Sequence, residues 1–169
     1  MLLQPPLLQA AADTDYLDDA ERLLRVSKTQ QHFQSMTSRQ VRDILRTYTS
    51  IVAMEVDVNL PRHLTASIAD CYTETYAWEN FEPGIALILQ EQLSHKEILI
   101  LIDFYRDLGM PPSDIQAFKD TIAKAPVIQQ VSADYIFANS EGCVENDATL
   151  IYHYLDSLQQ SPANAAAEP

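Results

Sequence analysis

The chain has 169 residues, a length that suits one domain, and carries 24 acidic against 11 basic side chains for a net charge of −13. That surplus argues against nucleic-acid backbones and anionic lipid as partners, since both repel an acidic surface. Only three glycines occur, Gly84, Gly109 and Gly142, so the closely spaced glycines of a P-loop or a dinucleotide-binding turn are absent.

In chain order, residues 1–12 read as a flexible arm. The arm is apolar and holds two prolines but no Lys or Arg, which makes it a poor signal peptide as it stands. A first helix is predicted over 15–26, with Asp15, Asp18, Asp19 and Glu21 crowding its start, where negative charge meets the positive end of the helix dipole. A long helix follows from about Thr29 to Met54, its apolar stripe being Val41, Ile44, Leu45, Tyr48, Ile51 and Val52. Pro61 can open a third helix running to about Trp78, with Leu64, Ile68, Tyr72 and Tyr76 spaced by four. Glu82-Pro83-Gly84 reads as a turn or break before a short helix over 85–92.

Ser94-His95-Lys96-Glu97 is a capping box, with Leu93 and Ile98 at the hydrophobic-staple positions. The helix that follows is apolar nearly all round, which predicts a buried central element near residues 94–108, stopped by Gly109 at C′ and by Pro111-Pro112. Ser113 begins another helix that Pro126 interrupts, and residues 127–137 form a separate or kinked one. A last helix, capped by Asn146 or Asp147, turns Leu150, Ile151, Tyr154, Leu155 and Leu158 inward. No strand pattern or repeat emerges. The expected fold is all-α: a compact bundle of about six to eight helices in one domain over 13–160, followed by a disordered tail over 161–169.

No run approaches the roughly 18 apolar residues a membrane helix needs, so membrane insertion is not expected. Cys71 and Cys143 are the only thiols. Two buried free cysteines in a cytosolic protein are one reading. The other is a disulfide in an oxidising compartment, which the position of Cys143 in the loop-like Asn139-Ser140-Glu141-Gly142-Cys143 favours.

The motif Leu93-Ser94-His95-Lys96-Glu97-Ile98, then Phe104-Tyr105 and Gly109, with Ala20-Glu21-Arg22-Leu23-Leu24 upstream, resembles the bacterial domain of unknown function numbered twenty fifty-nine over roughly residues 15–135. Where that family tends to carry Ser-Pro or Thr-Pro before the Gly, this chain has Arg106-Asp107-Leu108. The resemblance implies an all-helical, exported, periplasmic protein with no established activity and no catalytic residues to carry over.

Motifs for chemistry are sparse. His32, His63, His95 and His153 form no pair at i, i+4, and no C-x-x-C exists, so neither a metal site nor a cofactor is expected. The acidic loop around Gly142 fails as an EF-hand, because Phe137 and Ala148 would fall at its first and twelfth positions. No nucleophile elbow occurs, and no catalytic residue is expected. Tyr72, Tyr76, Trp78 and Phe81 read either as core packing or, with Glu74, Glu79 and Glu82, as a partner-binding patch.

Charge is uneven. Residues 1–62 hold seven basic and eight acidic side chains, while residues 63–169 hold four and sixteen. The expectation is a non-enzymatic periplasmic protein that binds another, basic protein, in its sharpest form an immunity-type inhibitor of a basic secreted toxin. Self-association stays open. The rival expectations are a periplasmic hydrolase and a small-molecule carrier, each with a site formed only in the fold.

Overall fold

The computed structural model describes the backbone of residues 6–160 and the side chains of residues 15–160. Helices α1 (Pro6–Val26), α2 (Thr29–Val56), α3 (Arg62–Thr75), α4 (Trp78–Gln92) and α5 (His95–Tyr105) lead to a 3₁₀ turn at Pro112–Asp114. Helices α6 (Ile115–Ile122), α7 (Ala125–Ala138) and α8 (Cys143–Gln159) complete an all-α fold with no strand among the described residues. The residues cluster into two compact units. The first is Met1–Ser35 with Ala77–Asn139, and the second is Met36–Tyr76 with Ser140–Pro169. The expected tail over 161–169 and residues 1–5 of the expected arm lie outside the described residues, whereas residues 6–12 belong to α1.

In the first unit, α1 packs along α4 and α5, and α7 along α4. Ala20, Leu23 and Leu24 from α1 and Phe33 from α2 are buried, as are Trp78, Phe81, Ile85, Ala86, Ile88 and Leu89 from α4. Because α1 starts at Pro6, Asp15, Asp18, Asp19 and Glu21 lie well inside the helix rather than at its positive end. Two of them, Asp19 and Glu21, form ion pairs instead. Asp19 meets Arg22 at 3.5 Å and His95 at 2.8 Å, and Glu21 meets Arg25 at 3.7 Å.

The expected break at Glu82-Pro83-Gly84 is absent: α4 runs through Pro83, and the chain breaks earlier, at Tyr76 and Ala77. An interior proline costs about 3 kcal/mol. Trp78, Phe81 and Ile85 flank it at 2%, 0% and 7% exposure, and burial of each such side chain contributes about 1.5–3 kcal/mol. Packing therefore outweighs the proline. Gly84 is needed for another reason, since the ring of Tyr135 from α7 occupies the space a Cβ would take.

The capping box forms as expected. Ser94 N donates to Glu97 Oε2 at 2.7 Å, Glu97 N donates to Ser94 Oγ at 3.4 Å, and Leu93 and Ile98 are buried beside it. Burial along α5 is one-sided, however. Ile98, Ile100 and Ile102 are buried, while Leu99, Phe104 and Tyr105 are 39%, 47% and 50% exposed.

Nor does Gly109 stop the helix. Asp107 takes the left-handed position (φ 54°), with Leu108 N donating to Asp103 O and Asp107 N to Phe104 O, which is the paired-bond geometry of a Schellman turn.

In the second unit, α3 packs against α8. Val52, Leu60 and Leu64 form one buried cluster, with Leu150, Ile151, Tyr154 and Leu155 against it. Ile68, Tyr72 and Cys143 form the other, covered by Val41, Ile44, Leu45 and Tyr48. Helix α8 begins at Cys143 with Gly142 as its N-cap, so Asn146 and Asp147 do not cap it. Gly142 adopts φ 108°, a conformation open to glycine, and turns the chain into the helix four or five residues early.

Candidate functional site

Three of the seven residues expected as a partner patch are interior. Tyr72, Trp78 and Phe81 are 5%, 2% and 0% exposed, so the aromatics pack as core. Tyr72 stacks on Tyr76 at 6.3 Å in the second unit, and Trp78 and Phe81 tilt against Phe33 at 5.4 Å and 5.6 Å in the first. Glu74 and Glu79 stay exposed, while Tyr76 and Glu82 are half-buried. Trp78 and Glu82 line a small cleft with Leu24, Arg25 and Lys28, but its volume is about 130 Å³. Pockets for organic ligands start near about 300 Å³.

A run of exposed apolar side chains in the first unit lies elsewhere, where α5 turns into α6. Phe104 and Tyr105 sit edge to face at 5.4 Å, and Phe104 also meets Phe118 at 4.8 Å. Leu108 and Ile115 follow along the turn, 59% and 44% exposed. The Schellman turn at Asp107 produces this corner, because it ends α5 at Tyr105 and leaves both rings outside the core. Residues 103–120 add four aspartates against Arg106 and Lys119, so the corner is apolar within an acidic frame. The sequence signal was available in Phe104-Tyr105 and Leu108, but an all-round apolar helix reads as buried until its neighbours are known.

The second unit holds the other concentration of chemistry. Cys71 on α3 and Cys143 on α8 are joined in a disulfide with their Cα atoms 5.9 Å apart. Cys71 is half-buried, whereas Cys143 is 3% exposed. Thr75, one turn along α3 from Cys71, places its hydroxyl 3.3 Å from the sulfur of Cys143. Asp147, one turn along α8 from Cys143, is fully buried. Its Oδ2 accepts from the Tyr72 hydroxyl at 2.8 Å, the Tyr48 hydroxyl also faces the carboxyl, and its Oδ1 has no hydrogen-bond partner. Burial pushes the Asp147 carboxyl above the usual carboxylate range, with the two tyrosine hydroxyls opposing the rise. Burial likewise raises the Tyr72 phenol, and Asp147 adds to that rise. Sequence reasoning missed Asp147 because an acid after a glycine loop reads as a cap.

At the junction of α4 and α5, burial pushes Glu97 up, but the Lys124 ammonium at 2.8 Å and the Ser94 donors win and hold it down at about 2. Tyr16 donates to Gln90 O at 3.0 Å and to Leu93 O, meeting two carbonyls at the end of α4 that the helix itself leaves open. His95 sits 2.8 Å from Asp19 and ties α1 to the start of α5, while His32, His63 and His153 are exposed. Among the described residues, no three His, Cys, Asp or Glu side chains gather as a metal site, and no helix is long and apolar enough to cross a membrane. The disulfide is compatible with an oxidising compartment outside the cytoplasm.

No family model matches the chain, and neither the curated proteins nor the solved structures return a match.

Proposed function

We propose that the protein is a non-enzymatic, periplasmic protein-binding domain, and in the sharpest form of this reading an immunity-type inhibitor of a basic secreted toxin. The observation that carries the reading is the corner at Phe104, Tyr105, Leu108 and Ile115, where large apolar side chains meet solvent inside an acidic segment. Exposed aromatics supply the area that becomes a hot spot once a partner desolvates them. Acidic side chains around them steer a basic partner and reject acidic ones. The periplasmic assignment draws on the disulfide and on the resemblance to the exported family of unknown function.

Affinity capture from an envelope extract tests the proposal. The intact protein should retain one basic partner in stoichiometric amount at low salt, release it at high salt, and lose it in a Phe104→Ser/Tyr105→Ser variant. Absence of any stoichiometric partner, or capture that the double substitution leaves unchanged, would overturn it.

A further inference from the structure

We infer that Cys71 and Cys143 are an exchangeable disulfide–dithiol pair, which reacts with an external thiol and uses Asp147 and Thr75 to support the sulfur of Cys143. This goes beyond protein binding and does not depend on it.

The two sulfurs are unequal. Cys71 is half-buried and Cys143 is 3% exposed, so an incoming thiolate reaches Cys71 and makes Cys143 the leaving group. Cys143 is the first residue of α8, where the positive end of the helix lowers the cost of a thiolate. The Thr75 hydroxyl, 3.3 Å from the Cys143 sulfur, is positioned to donate to it.

The independent observation is Asp147. A buried polar atom left unpaired costs about 1–3 kcal/mol, and a disulfide that acts only as a staple gives no reason to keep one beside it. Residues at i and i+4 share a helix face, so Asp147 stands next to Cys143. The oxidised form leaves Oδ1 without a partner, and opening the disulfide gives it a sulfur with which to share a proton. The titratable groups that face this carboxyl are Tyr72 from α3 and Tyr48 from α2, and Cys143 lies one turn before it on its own helix.

An external thiolate bonds to the Cys71 sulfur, the Cys71–Cys143 bond breaks, and its electron pair goes to Cys143. That sulfur takes the proton of the Asp147 carboxylic acid, and Asp147 later regains one from solvent. A second external thiolate attacks the outer sulfur of the mixed disulfide and releases Cys71, which is protonated by water. Two external thiols are oxidised to one disulfide, and the protein disulfide is reduced to two thiols.

The test incubates the oxidised full chain with glutathione, follows thiol release by alkylation across a pH series, and records helicity in parallel. The dithiol should form while helicity is retained. Asp147→Asn should slow release about tenfold or more and flatten its pH profile. Thr75→Val, which keeps the shape of the site, should shift the equilibrium toward the disulfide, and it carries the test alone if Asp147→Asn does not fold. Release only after loss of helicity, or wild-type exchange in every folded variant, would overturn the inference.

Discussion

The two units reach stability by different means. Among the described residues the first unit buries fourteen apolar side chains and the second buries six, one of them Cys143. The first has Trp78, Phe81 and Phe33 in mutual contact and is closed by the capping box and the Lys124–Glu97 pair. The second has a thinner interior with a carboxyl inside it, and a covalent bond joins its two principal helices. The difference shows how a small helical unit can carry a buried acid: the constraint on its unfolded chain replaces apolar area it does not have.

The comparison breaks most readily at its two centres. Phe81→Ala should lower the stability of the first unit by about 3–5 kcal/mol, because it empties a fully buried aromatic site. Denaturant unfolding read through Trp78 checks this. Cys71→Ser/Cys143→Ser should weaken the second unit by up to about 4 kcal/mol, the chain-entropy value for its 72-residue separation, and should leave the Trp78 signal in place. A loss well below that ceiling is what the exchangeable pair implies, since it requires a folded dithiol form.

Acid and base should separate the units further. Glu97 is held at about 2 against an ordinary 4.5, so its contribution is complete above about 4.5 and is lost as pH falls toward 2. Asp147 is raised from 3.8, so its sign is reversed: the second unit is best off below 3.8 and loses stability as pH rises through the raised value. Unfolding followed separately in each unit across pH should show these opposite slopes, with Asp147→Asn removing the loss on the alkaline side. Glu97→Gln should cost the first unit about 1–2 kcal/mol at neutral pH, from the weakened cap and ion pair. Tyr16→Phe should cost about 1 kcal/mol by stranding the carbonyls of Gln90 and Leu93, and thermal unfolding would register it. At the small end, Asp107→Gly should stabilise the first unit by up to about 1 kcal/mol, since the left-handed position favours glycine.

Much of this architecture is legible in the sequence wherever local chemistry decides. Helical spacing in Leu64, Ile68 and Tyr72 places them on a buried face, and Ser94 with Glu97 marks a helix start that forms as read. The loop before Cys143 favours the disulfide that forms. What was not legible depends on partners distant in sequence. Pro83 signals a break only until the burial of Trp78 and Phe81 is added. The uniform hydrophobicity around α5 hides which side meets solvent, and with it the exposed corner at Phe104 and Tyr105. The aromatics near Trp78 suit a surface as well as a core by composition, and packing alone puts them inside. Asp147 looks like a cap until Gly142 starts the helix early and Tyr72 reaches it from a residue 75 positions away.

Hydrogen exchange on the oxidised and the reduced chain tests the difference between the units most directly. Reduction should speed exchange in α3 and α8, with their helicity retained, and leave α4 and α5 unchanged. Equal acceleration in all four helices, or none in α3 and α8, would contradict the account.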